Sequence, residues 1–203
     1  IVKHGNPCGV SALKNNLDSY KSALETDPIS AFGGIVSCNY KVTQKIAVML
    51  NKIFLEVIVA NGFDKKALKI LKSKKNLRLI DSSKISFSEV WKFYSFDNFT
   101  LIQSEDKKIF SKKDFRIVSK RQPSKSQLGN LMFAFNVCRY TKSNAIVLAS
   151  NKSTIGIGSG QPSRLDSCEI AINKMNKFSK INNEIVAASD PFFPFVDGIE
   201  KLV

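Results

Sequence analysis

Between Gly33 and Ile80 the chain alternates short apolar runs with stretches whose apolar residues recur at helical spacing. Ile35-Val36 is the first run, FLEVIVA at 54–60 the second, and Leu77 to Ile80 the third. The intervals 44–52 and 64–73 read as helices. Thr43 is a candidate N-cap for the first of them. Strands alternating with helices in this way predict a layered α/β domain with a largely parallel sheet. A helix upstream, with Leu17, Tyr20 and Leu24 on one face, is stopped by Asp27-Pro28.

The second half is read on the same general plan. Pro123-Ser124 opens a helix whose Leu128, Leu131 and Phe135 share a face. Strands are expected over 144–149, 154–157 and 185–188, with a helix from the turn before Arg164 to about Phe178. Residues 82–115 are polar and aromatic by turns with no period, and read as strands and loops bridging two lobes. The expected division is a first lobe at 1–81, a bridge at 82–115 and a second lobe at 116–203. The chain starts inside a strand and stops as a helix begins, so it is expected to be a piece of a longer protein.

The formal charge is +14, from 31 Lys and Arg against 17 Asp and Glu. That favours anionic ligands, but the lysines are scattered in pairs, which fits a solvated surface better than a binding tract. Cys8, Cys38, Cys138 and Cys168 are far apart and show no zinc-ligand spacing. Free buried thiols in a reducing cytoplasm are expected, with no structural metal. No apolar run reaches bilayer length and no signal peptide is visible, so no membrane partner is expected.

Four stretches carry candidate chemistry. Lys3-His4 stands where a first strand ends, before the turn Gly5-Asn6-Pro7-Cys8-Gly9, and His4 is the single histidine. A histidine at the C-terminal edge of a strand lies where open α/β sheets bind ligands, and its ring can take a proton near neutrality. The alternative is a structural histidine beside a surface lysine. Pro7-Cys8-Gly9 resembles half of a zinc-deaminase signature, but Ser11 stands where the second thiolate is needed. Gly156 to Gly160 looks like a phosphate loop but lacks its lysine, and a tight strand-to-helix turn is the plainer reading. Arg164 follows at a helix start, where it can offer a planar fork to a carboxamide or phosphate. The aromatic run 192–195 is either core or a loop stacking on a flat heterocycle.

Seven runs together resemble one family: VKHGNPCG, TDPISAFGG, FLEVIVA, SKRQP, KSNAIV, TIGIGSGQPSR and ASDPFFPFVDGI. They are similar to the aminoimidazolecarboxamide ribonucleotide (AICAR) formyltransferase region of the bifunctional purine biosynthesis family, whose other domain is IMP cyclohydrolase. The resemblance implies two tandem cytidine-deaminase-like α/β/α lobes without zinc. It implies transfer of a formyl group from the co-substrate 10-formyltetrahydrofolate to the 5-amino group of AICAR, in the cytoplasm, by a homodimer that needs no nucleic acid. His4 would be the general base, Lys3 would stabilise the transition state, and Asn144 would hold the nucleotide and aid the oxyanion. Phe32, Gly33, Glu56, Arg164 and Phe192 would surround AICAR, with the Leu165 backbone and Asp197 on the folate side.

From the pattern alone, Glu56 inside FLEVIVA is either paired with a ligand or faces water on a strand edge. Val196 departs from the family pattern, which has arginine there. The cyclohydrolase domain and further nucleotide-contacting residues of the family have no counterpart in these 203 residues. A basic nucleic-acid-binding module would account for the charge but for none of the seven runs. An inactive remnant is the third reading.

Overall fold

A computed structural model describes residues 1–86, 91–108, 110–179, 184–193 and 195–203. Parts of the bridging segment (87–90 and 109) and Pro194 of the aromatic run lie outside the described residues.

The first half holds β1 (Val2–Lys3), β2 (Asn6–Pro7), α1 (Asn16–Thr26), β3 (Gly34–Cys38), α2 (Gln44–Leu50), β4 (Leu55–Ala60), α3 (Lys65–Leu71) and β5 (Arg78–Asp81). The strands form one sheet in the order β2-β1-β3-β4-β5. The three strands read from the apolar runs pair in parallel, whereas β1 is antiparallel to β3. One core of α1, α2 and α3 side chains, among them Tyr20, Leu50 and Leu71, packs against Val36, Leu55 and Ile58. On β3 the other face is open, with Ile35 and Ser37 exposed, so covering layers on both faces, as expected of a lobe, are not seen here. Thr43 does occupy the N-cap position of α2, but its hydroxyl makes no capping bond. Asp64 does that work for two helices, accepting from Gln44 N at 3.0 Å and from Ala67 N at 2.5 Å.

Among the described residues of the bridge is a hairpin, β6 (Trp91–Phe96) and β7 (Phe99–Ser104), exposed along its whole length. The second half holds α4 (Lys125–Cys138), β8 (Ile146–Ser150), β9 (Ser153–Gly158), α5 (Arg164–Phe178), β10 (Val186–Ser189) and α6 (Asp197–Leu202). Ser124 and Gln127 form a capping box at the start of α4. The sheet order is β10-β8-β9, and both pairings are antiparallel. This departs from the repeated plan read from the sequence. Asn151 and Lys152, with φ of 46° and 54°, turn β8 straight back into β9, leaving no room for a crossover helix. All five residues of β8 are buried. Ala145, Val147 and Ala149 pack toward α4, and Ile146 and Leu148 toward α5, so this sheet has a helix on each face.

Gly156 and Gly158 belong to β9 and let α5 sit directly on it. A Cβ on Gly158 would stand 1.9 Å from Ser167 O, and one on Gly156 2.1 Å from Ala171 O. The glycine-rich run is therefore a close strand–helix contact followed by a turn, which explains its composition without a phosphate. Gly158→Ala is expected to destabilise by about 1–3 kcal/mol through backbone displacement. Gly129→Ala, on a helix with open space around the new methyl, is expected to be neutral or stabilising. Urea unfolding of the two variants distinguishes them, and equal midpoints would refute the close-contact account.

The halves meet where α1 packs against β9. Thr26 Oγ1 donates to Thr154 O at 2.7 Å, Val10 N donates to Thr154 Oγ1 at 2.9 Å, and Lys174 pairs with the buried Asp27 at 2.8 Å. All four cysteines are free and buried. No described helix is long and apolar enough to cross a membrane.

Candidate active site

Lys3 and His4 lie at the tip of the β1–β2 hairpin. Val2 faces Pro7 and Lys3 faces Asn6, which leaves His4-Gly5 as a two-residue turn with φ of 51° and 76°. Positive φ at both central residues is the type I′ arrangement that matches strand twist. His4 thus adopts a left-handed conformation that costs a non-glycine residue about 1 kcal/mol. Its side chain is exposed. His4 follows the carboxyl end of β1, as expected, but because β1 runs against β3 this tip lies at the amino ends of the parallel strands.

Two other predicted residues gather at the same edge. Lys3 Nζ donates to Phe32 O at 2.7 Å. Phe32 is 61% exposed, and its ring lies 5.3 Å from that of Phe54. Gly33 donates to Phe54 O at 2.9 Å with φ of 71°, and a Cβ there would stand 4.0 Å from Lys3 Nζ. Glu56 faces water, as one of the two readings has it, but on β4, which has neighbours on both sides and is not an edge strand. A register shift pairs Gly34 with Leu55 and Ile35 with Val57, skipping Glu56, which is exposed. Among the described residues it makes no ion pair.

The second group centres on Arg164, whose side chain is 9% exposed. Its Nε donates to Phe192 O, Nη1 to Ser189 Oγ and Asp190 Oδ1, and Nη2 to Asn144 Oδ1 and Pro191 O, all within 2.6–2.9 Å. A guanidinium has five N–H donors, and all five are engaged within the protein. Arg164 is therefore an organiser of Asn144 and the 189–192 loop, where the sequence suggested a free fork. Asn144 is held equally firmly. Its Nδ2 donates to Gln161 O and Pro162 O, and its backbone N–H to Gln161 O. Both side-chain donors are used, and what remains is acceptor capacity on Oδ1.

Asp190 was not singled out by the sequence reading, although it follows a strand end directly. It accepts from Arg164, from Ala145 N at 2.8 Å and from Ser143 Oγ. Burial pushes its carboxyl up, but the donors of Ser143, Arg164 and Ala145 outweigh that and hold it below the usual carboxylate range. Leu165 is half-buried in the first turn of α5, where backbone N–H groups lack helical partners. Phe192 is 72% exposed. Asp197 is exposed at the start of α6 and accepts from Gly198 N. Burial raises the Cys8 thiol, so the half-signature residue is a packed thiol.

The structure therefore joins Asn144, Arg164 and Phe192 by direct hydrogen bonds, and gathers Lys3, His4, Phe32 and Gly33 at one edge. No hydrogen bond among the described residues runs from His4 to Asn144 or Arg164. The two groups are connected through Asn6, whose Oδ1 accepts from Lys142 N at 2.9 Å. A separate apolar cavity of about 640 Å³ lies between α4, β10 and residues 115–123 and contains none of the predicted site residues.

A family model described as "AICARFT/IMPCHase bienzyme" matches residues 1–174. Among curated relatives, the "Bifunctional purine biosynthesis protein PurH" of Wigglesworthia glossinidia brevipalpis is 44% identical over 201 residues, covering 98% of this chain and 38% of its own. The protein of the same description from Aquifex aeolicus (strain VF5) is 42% identical over 200 residues, with 98% and 39% covered. That of Chlorobium phaeobacteroides (strain BS1) is 41% identical over 199 residues, with 98% and 38% covered. The chain thus spans well under half the length of these relatives.

Proposed function

The chain belongs to the AICARFT/IMPCHase bienzyme family, and from that premise we propose that it carries the formyltransferase chemistry of purine biosynthesis. The substrates are AICAR and 10-formyltetrahydrofolate, and the whole protein also closes the product to IMP through a cyclohydrolase domain. In this reading residues 1–81 and 116–203 are two deaminase-like lobes without zinc, joined by 82–115. The site lies between the Lys3-His4 turn and the Asn144–Arg164 network.

The amine of AICAR is conjugated to its ring and carboxamide and is a weak nucleophile. Its nitrogen attacks the formyl carbon, His4 takes the proton, and a tetrahedral oxyanion forms. Lys3 is suited to that oxyanion, since one ammonium hydrogen bonds Phe32 O and two remain. Collapse breaks the bond to the folate nitrogen, which leaves with a proton delivered by Lys3. Asn144 has no donor to spare for the oxyanion, so we assign it the acceptor that orients the attacking amine. Phe32 and Phe192 are exposed aromatic faces on which the heterocycles stack. Gly33 and Glu56 complete the AICAR side, and Leu165 N–H and Asp197 the folate side.

The observation that carries this reading is the Lys3–His4 turn, where a lysine and the single histidine are consecutive and the histidine holds a conformation that a non-glycine residue adopts only at a cost. A homodimer and a cytoplasmic location belong to the same proposal. Trp91, Phe93, Phe96 and Phe99 on the exposed hairpin support a covering partner, since a lone two-stranded ribbon is marginal in water.

The second reading, a polyanion-binding module, rests on Lys65, Lys66, Lys69, Lys72, Lys74, Lys75 and Arg78, with no acid among them. Calorimetry on the protein that carries these residues decides between the two. Saturable AICAR binding with little salt dependence, together with formyl transfer, is expected. Absent AICAR binding with RNA affinity falling steeply with salt would overturn the formyltransferase reading.

A further inference from the structure

We propose that Asn6 is a positioning residue for formyl transfer, clamping the turn that carries Lys3 and His4 against the loop that carries Asn144. The inference rests on the reading given under Proposed function. Its geometry is simple. Asn6 follows the His4-Gly5 turn and pairs with Lys3 across the hairpin. Its Oδ1 accepts the backbone N–H of Lys142 at 2.9 Å. Lys142 O in turn accepts from Gly160 N at 2.8 Å, and Asn144, two residues on, bonds through its backbone and side chain to Gln161 and Pro162. One amide oxygen therefore joins the base-bearing turn to a loop pair that is itself tightly cross-linked.

Within the first half, the β1–β3 pairing and the Lys3–Phe32 bond hold the hairpin to its own sheet, whereas the other hydrogen bonds from the start of the chain to the second half, among the described residues, lie far from this point. Val10, Ser11 and Ala12 bond to Thr154, Ser153 and Lys152, at the opposite end of β9. The strand between is about 16 Å long at ~3.3 Å per residue. Those contacts hold the lobes together but do not set where the hairpin tip sits against the loop that carries Asn144. Catalysis that needs an imidazole on one element and an amide acceptor on another is sensitive to displacements of about 1 Å, which can cost ~10²-fold. The Asn6 clamp is placed to prevent that displacement, and among the described residues its amide oxygen, not its N–H₂, makes the bond across the gap.

The test uses Asn6→Ala and Asn6→Asp in the full protein that carries these residues. Alanine removes the acceptor, and aspartate keeps it. Asn6→Ala is expected to lower kcat about ten- to a hundredfold while KM for AICAR changes less than about threefold. Asn6→Asp is expected to return kcat to within about threefold of wild type, with both variants melting close to it. Amide exchange at Lys142 is expected to accelerate about tenfold in Asn6→Ala alone. Unchanged kcat in Asn6→Ala, or equal losses in both variants, would overturn the proposal. If wild type performs no formyl transfer, the enzymatic reading fails by itself. The exchange rate of Lys142 then still judges the clamp, and no change between wild type and Asn6→Ala would refute it.

Discussion

His4→Gly is expected to leave the fold as stable as before while lowering formyl transfer by about 10²–10⁴-fold. The two effects have separate physical origins. His4 holds a φ of 51° at the first central position of a type I′ turn. Glycine relieves the left-handed strain, worth about 1 kcal/mol, and returns a similar amount through the greater freedom of the unfolded chain. The imidazole is exposed, so its removal leaves no cavity. His4→Asn is a useful companion, since asparagine tolerates this conformation but cannot accept a proton near neutrality. Melting midpoints close to wild type in both, with turnover lost in both, are the expected result. Turnover above about a hundredth of wild type would remove His4 as general base. A collapse of the melting midpoint would instead favour the structural histidine.

The alternation of apolar runs and helical spacing made the parallel part of the first sheet legible, because β3 alternates buried and exposed residues, β4 buries Leu55, Ile58 and Ala60, and Leu79 of β5 packs against the same core. The start of α5 and the end of α1 were legible for the same local reason, being set by Ser163 as cap and by Asp27-Pro28. What the sequence did not show was direction. Nothing in KSNAIV or TIGIGSG distinguishes a parallel pair from a hairpin. The deciding feature is a two-residue turn at Asn151-Lys152 that lacks the usual glycine. The antiparallel placement of β1 was hidden in the same way, and with it the end of the sheet at which Lys3 and His4 stand.

Candidate residues were legible as types and hidden as contacts. Arg164 was visible as an anion-binding side chain at a helix start, yet which groups absorb its five donors depends on a loop folded back from residues 189–192. Asn144 was visible as a polar residue at a strand start, but its loss of donor capacity comes from Gln161 and Pro162, across the hairpin formed by β8 and β9. Asp190 was overlooked because an acid before a proline is an ordinary turn signal. Only burial beside Arg164 turns it into a structural charge. Asn6 reads as a turn residue, and no local pattern announces that its side chain reaches a residue 136 positions away.

Asp190→Ala is expected to cost about 3–5 kcal/mol of stability, the range for removing one partner of a buried ion pair. The Arg164 side chain is 9% exposed and that of Asp190 19%, so solvent cannot replace the lost carboxylate cheaply. The variant also strips acceptors from Ala145 N and from Ser143 Oγ, the two neighbours of Asn144. Adding Arg164→Met is expected to recover part of the loss, because the stranded charge goes with it. The difference between wild type and Asp190→Ala must also depend on pH in a defined direction. Folding holds the Asp190 carboxyl below its ordinary value, so its contribution is fully present above the unfolded carboxylate value of about 3.9. It is lost as pH falls through the lower folded value. Urea midpoints of the two proteins should therefore stand well apart at neutral pH and converge in acid. A constant gap at all pH values would mean that the carboxylate charge contributes nothing and that packing alone explains the loss. A double variant no more stable than Asp190→Ala would show that the arginine is not stranded when its partner is removed.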